Sequence, residues 1–265
     1  VTEAAAGVAT IAPTAVPLKT PPVRRMTVGA LVGTPIVLVL MLGGLYLWIH
    51  SITLDSIEKR TLNSSYLSTA LWQHMKVALL ATLLILLISV PLGVVLSRRW
   101  ARFASPIVLL IANVGQAAPV VGVLTLLVLS LHETGISVAL IAFVPYGVLP
   151  ILRNTIVGLQ QIDRNLIEAA KGIGMNPRQV LMKIELPLSV PVLLAGVRTT
   201  LTLTVAVTVL ATFVNAGGLG DIIVNGLKLN RTPVLVTGAA LAVAVALLID
   251  WLARLIEDVL RPRGI

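Results

Sequence analysis

Cysteine is absent from this 265-residue chain, which excludes disulfides and thiolate metal sites. Charge is scarce: 12% of residues are Asp, Glu, Lys or Arg, against about 25% in a soluble domain. That is too little to coat a water-exposed surface. The 57% apolar content and mean hydropathy of +0.99 exclude a disordered chain as well. Aromatics are few, with four Trp, three Tyr and three Phe, so neither a base-stacking platform for nucleic acid nor an aromatic cage for a quaternary ammonium group is expected. Trp48, Trp72, Trp100 and Trp251 fall near the ends of apolar runs, where belt anchors sit. The histidines His50, His74 and His132 are isolated and read as interfacial side chains, so no metal site is expected. The chain also lacks a G-x4-G-K-[ST] phosphate loop and is expected not to hydrolyse ATP itself.

What is present is apolar sequence in membrane-length runs. Crossing about 30 Å of hydrocarbon takes about 20 residues at about 1.5 Å each. Six candidates qualify: Val28–Ile49, Val77–Leu96, Ile107–Leu131, Ile136–Leu152, Val190–Val214 and Pro233–Leu252. They are too long for strands and lack dyad alternation, which argues against a barrel. The expected fold is an all-α membrane protein with six transmembrane helices, the third and fourth forming a tight hairpin. Net charge is +9, and with the N-terminus inside, fifteen of the twenty Lys and Arg fall on the inner side. That bias gives an N-in/C-in orientation. Residues 1–25 read as a disordered cytoplasmic tail and 26–50 as a retained first helix. The run is too long for a secretory core. Residues 51–73 read as an extracytoplasmic loop, 74–260 as the core and 261–265 as a cytoplasmic end. The helix centres lack Asp and Glu, which disfavours an ion relay, and Arg198 and Asp250 lie where snorkelling relieves them.

One inner segment, 157–189, is long for a connection, and long ordered loops are usually functional. It reads as two short helices. Gln161–Ile173 carries apolar residues at i, i+4 spacing, and Gly174 is a natural left-handed stop. Asn176 is a good N-cap, and Pro177 suits the first helical position. The second helix, Pro177–Glu185, is expected to end before Leu186-Pro187. The residues alone fit either a projecting knob or an amphipathic helix on the lipid surface.

Glu168-Ala169-Ala170, Gly174, Ile184 and Leu186-Pro187 match the pattern EAA-x3-G-x9-I-x-LP at every fixed position. This segment resembles the EAA loop of bacterial ABC importer permeases. Pro91-Leu92-Gly93-Val94, Gly115-Gln116 with Pro119, Leu149–Thr155 and Gly217-Gly218-Leu219-Gly220 are similar to the osmoprotectant branch, which carries glycine betaine, carnitine or choline. The likeness covers about residues 70–260. It implies a permease in the bacterial inner membrane, working by alternating access with a second permease subunit, identical or sister. It also implies a cytoplasmic ABC ATPase, which holds the ATP and Mg, and an extracytoplasmic substrate-binding protein. Glu168, Ala169, Ala170 and Gly174 would form the contact turn for the ATPase, with Ile184, Leu186 and Pro187 fixing the knob to the membrane body. The alternatives are a permease for methionine or another amino acid, and an ion-coupled secondary transporter.

For a pathway, Thr200, Thr204, Thr208 and Thr212 form an i+4 stripe with Asn215 just beyond, lining either a hydrated passage or a helix–helix seam. Asn113 and Gln116, near the helix-bending Pro119, are expected to face a cavity or a partner helix. Gly217, Gly218 and Gly220 are expected to give an outer gate or docking loop its hinge.

Overall fold

The computed structural model of the chain describes residues 28–260, so the expectations for the 1–25 tail and for 261–265 lie outside the described residues. Among the described residues every regular element is helical. Five helices are long and apolar enough to span a membrane, and a bent pair supplies a sixth if it is counted as one span.

Helix α1 (Val28–Ser51) leans on the last helix, α11 (Thr232–Leu260), where the Trp251 indole N–H donates to the Leu31 carbonyl at 3.0 Å. Its outer face is bare hydrocarbon, with Leu40 and Leu47 each 69% exposed, as lipid contact requires. The segment after α1 is shorter and more ordered than a 51–73 loop. It holds a one-turn-and-a-half helix, α2 (Ser56–Thr61), closed by a capping box between Asp55 and Glu58. Helix α3 (Ser64–Ser97) then starts thirteen residues ahead of the apolar run, capped by the Asn63 side chain.

The third expected span is not one helix. Helices α4 (Ser105–Ala117) and α5 (Val120–Leu131) are bent by 92° across two residues. The cause is Pro119. It has no N–H, and its ring drives the preceding residue out of the helical region, so Ala118 is extended at φ −64°, ψ 137°. Each half, at about 18–20 Å, is too short to cross the hydrocarbon by itself. A tight turn does follow α5: His132 and Gly135 take positive φ and lead into α6 (Ile136–Gln160), which runs past its expected end at Leu152.

The centre of the molecule is α3, α6 and α9 (Leu186–Val207), with α6 packed along both others. Val77, Ala81, Val138, Ala142 and Phe143 are buried there, and Leu96, Leu152 and Ile156 form a second buried cluster toward the end of α3. After α9 a 3₁₀ run (Thr208–Val214) leads to α10 (Leu219–Lys228), which packs with α11 and the start of α3 around Ala70, Ile222 and Val234.

Between α6 and α9 lies the knob. Its first helix, α7 (Arg164–Gly172), ends at Gly174, φ +88°, with the Met175 N–H reaching back to the Ala170 carbonyl at 3.1 Å. This is the expected left-handed stop. The second helix, α8 (Pro177–Val180), has Asn176 as its N-cap, as expected, and Gln179 completes a capping box that the sequence reading did not include. It does not end before Leu186-Pro187. It widens into a π turn (Leu181–Glu185) and continues into α9, giving one helical run from Pro177 to Val214. A proline inside a helix clashes with the carbonyl four residues back. The wider turn, closed by the Leu186 N–H on the Leu181 carbonyl, is how Pro187 is accommodated without a break.

Candidate coupling knob and transport core

Helix α7 has two faces set by its 3.6-residue period. Arg164, Ile167, Glu168 and Lys171, at i, i+3, i+4 and i+7, line a cleft of about 480 Å³ against the end of α3 and the end of α6. On the opposite face Leu166 is 50% and Ile173 78% exposed, with Ala169 exposed between them. Ala170 is buried against the body. The four residues of the expected contact turn therefore divide. Ala169 and the exposed Gly174 face outward, Ala170 anchors, and Glu168 faces its own chain's basic cleft.

The knob is fixed to the body by a pair that sequence reading missed. Arg98, the C-cap of α3, grips Glu185 with both guanidinium nitrogens, at 3.1 and 2.5 Å. The Glu185 side chain is 7% exposed. A bidentate, charge-assisted contact of this kind holds orientation as well as position. Of the residues expected to fix the knob, Ile184 and Leu186 are half-buried and Pro187 is exposed, beside the π turn. Their contribution is the helix path; the grip comes from Glu185, the variable position inside the motif.

The threonine stripe lies in a seam. Thr200, Thr204 and Thr208 are fully buried within the chain. The Thr200 hydroxyl donates to the Gly147 carbonyl of α6 at 3.0 Å, and Thr204 lies 2.7 Å from the Thr82 hydroxyl of α3. Thr208 donates to the Thr204 carbonyl at 2.6 Å. Thr212 is half-buried, and Asn215 is exposed in the left-handed conformation that closes the 3₁₀ run. In α4, Asn113 is exposed and Gln116 half-buried, so both are open to a neighbour outside this chain.

The glycine turn at the far end is packed rather than loose. Gly217 and Gly218 take φ of +78° and +107°, and the Gly218 N–H donates to the Gln73 side chain at 3.2 Å. A Cβ at Gly220 would sit 2.0 Å from the Val209 carbonyl oxygen. Positive φ at Gly217 and Gly218 and close approach at Gly220 each call for glycine here. Beside them His74, expected at an interface, is fully buried and donates through Nε2 to the Val205 carbonyl at 3.0 Å. Arg198 and Asp250 are paired rather than snorkelling: Arg198 meets Asp250 at 2.8 Å and Glu257 at 3.5 Å, and Arg254 meets Asp250 at 2.9 Å. An aspartate held by two arginines is a poor proton carrier, which weakens an ion-coupled reading. Among the described residues no cluster of His, Asp and Glu is arranged to hold a metal.

Together these features define a class: a multi-span helical membrane protein with a two-helix knob continuous with a core helix. A family model described as "Binding-protein-dependent transport system inner membrane component" matches residues 89–263. The chain belongs to this family and is the permease, the inner-membrane component, of an ABC importer. It is 37% identical to the choline transport system permease protein OpuBB of Bacillus subtilis (strain 168), over 73% of this chain and 88% of that one. It is 37% identical to the carnitine transport permease protein OpuCD of Listeria monocytogenes serotype 1/2a (strain 10403S), over 76% and 89%. The osmoprotectant import permease protein OsmW of Salmonella typhimurium is 35% identical, over 80% of this chain and all of its own length. In fold the chain is similar to the MetNI methionine ABC transporter in an inward-facing conformation, with a TM-score of 0.63 at 23% identity, over 74% of this chain and 96% of that one.

Proposed function

We propose that this permease imports small quaternary-ammonium osmoprotectants of the glycine betaine, carnitine and choline type, powered by a separate ATPase. The substrate class rests on the relatives named above, and the coupling mechanism on the knob. The ATPase binds ATP and Mg and seats on the outward face of α7, where Leu166, Ala169 and Ile173 leave an apolar, small-residue patch. Apolar side chains at that exposure, on a helix too short to be stable alone, fit a surface meant to be covered. The knob points into the cytoplasm, with both chain ends on the same side, as the arginine bias directs. A second permease subunit faces this one, and an extracytoplasmic binding protein delivers cargo to the outer turns.

The observation that carries the mechanism is the unbroken helical run from Pro177 to Val214, clamped to α3 by Arg98–Glu185. Force applied at α7 and α8 enters the core through one element instead of dissipating in a loop. The test is ATP-driven uptake of labelled glycine betaine, choline and methionine in proteoliposomes holding the complete complex. Uptake of the first two but not methionine is expected. Ala169→Arg, on the seating face, and Gly174→Val should cut uptake at least about tenfold while leaving membrane insertion intact, the first by blocking the seat and the second because a side chain at φ +88° costs about 1–2 kcal/mol and turns the knob. Unchanged uptake in both variants would sink the coupling role.

A further inference from the structure

The cleft behind α7 holds a charge imbalance that the coupling role does not use. Arg98 and Glu185 neutralise each other across it. That leaves Arg99 and Arg102 from the α3–α4 turn, and Arg164 and Lys171 from α7, against the single carboxylate of Glu168. None of these four cations makes an ion pair among the described residues. Four cations converging on about 480 Å³ of open space repel one another, and a protein keeps them together where an anion completes the set.

Neighbouring side chains say where that anion comes from. Trp100 and Phe103 alternate with the two arginines in sequence and are 72% and 80% exposed, with nothing of this chain covering them. Large aromatics held out in this way at the end of a spanning helix sit at headgroup level in a bilayer. The rim of the cleft is therefore at the depth of the lipid phosphates. We propose that the cleft binds the phosphate group of an anionic phospholipid, with Arg99 and Arg102 on the membrane side and Arg164 and Lys171 reaching it from the knob. The lipid would bridge α3 and α7 on the side away from the patch assigned to the ATPase. The proposal does not depend on that assignment, because the opposite face of the helix carries it.

Native mass spectrometry of the full chain, titrated with phosphatidylglycerol and with phosphatidylethanolamine, tests the site without ATP or substrate. One saturable phosphatidylglycerol, bound in preference to phosphatidylethanolamine and weakened by salt, is expected. Arg99→Gln/Arg102→Gln should weaken it roughly thirty-fold, and Arg99→Lys/Arg102→Lys should restore most of that. The Arg164→Gln/Lys171→Gln pair, on exposed positions of α7, gives the same reading should the first pair fail to fold. Soluble glycerol phosphate separates the two sources of phosphate: failure to displace the lipid supports the site, and binding as tight as the lipid's overturns it. Equal lipid binding in wild type and both Gln pairs, or no preference for the anionic lipid, would each overturn it too.

Discussion

Glu185 is the residue on which two structural roles meet. It belongs to the π turn and to the ion pair that locks the knob, with its carboxylate almost wholly removed from water. Removing Arg98 leaves that carboxylate with no other ion partner among the described residues. Arg98→Gln should cost roughly 1.5–3 kcal/mol, read as a lower unfolding temperature in detergent. Arg98→Gln/Glu185→Gln should recover part of the loss, because a neutral amide is cheaper to bury than a lone charge. The Thr82–Thr204 contact predicts far less. Hydroxyl pairs between membrane helices average about 0.6 kcal/mol, so Thr204→Val should shift stability only slightly and leave uptake near wild type. A large loss of uptake with unchanged stability would move the stripe back from seam to pathway. Neither contact was readable in the sequence, since partners 87 and 122 residues apart leave no local pattern. Capping is different. Gly174, Asn176 and Pro177 act on backbone within a few residues, and all three stand where the sequence put them.

At the scale of elements, prolines mark where reading the sequence succeeded and where it failed. Pro119 and Pro187 carry the same local signal, a missing N–H and a ring that crowds the preceding turn. One produces a 92° break, and the other is absorbed by a π turn inside a continuous helix. The difference is tertiary. The widened turn at Leu181–Glu185 is clamped by Arg98, whereas Ala118 has no comparable hold and swings to an extended conformation. Apolar periodicity does not separate the two cases, because it carries no information on the partner 87 residues away that holds the second turn. Pro187→Ala should let the π turn relax to a regular α-helix, which rotates the knob by about 100° against α9. The gain from removing the proline, at most about 3 kcal/mol, would be offset by the lost Arg98–Glu185 pair, so thermal stability should change little while ATP-driven uptake falls. Measuring both on one preparation tests the idea, and a variant with uptake intact would show that the turn only accommodates the proline.

At the scale of the whole molecule, the spans are arranged in a central trio, a peripheral pair of α1 and α11, and a broken segment whose polar residues Asn113 and Gln116 look outward. The composition announced a membrane protein and the helical runs announced its spans. The proposed orientation rests on charge placement alone and is open to a direct check. With no native cysteine, a single Ile173→Cys in the exposed tip of the knob is a unique label site. It should react with a membrane-impermeant maleimide in inverted vesicles and stay unlabelled in right-side-out ones. The reverse pattern would overturn both the topology and the seat proposed for the ATPase.

The helix that begins at Pro177 and ends at Val214 has 38 residues, which at about 1.5 Å each is a rod of about 57 Å. Its two tips are too far apart to touch any common ligand, yet they are ends of one stiff body. Swinging such a body by only about 5° about one tip carries the other sideways by about 5 Å, close to the width of a small solute. Seated on an ATPase as proposed, such a crank would turn a small rocking at Pro177 into a displacement of solute size at Val214, and the α3 and α6 residues bonded to Thr204 and Thr200 would have to travel with it.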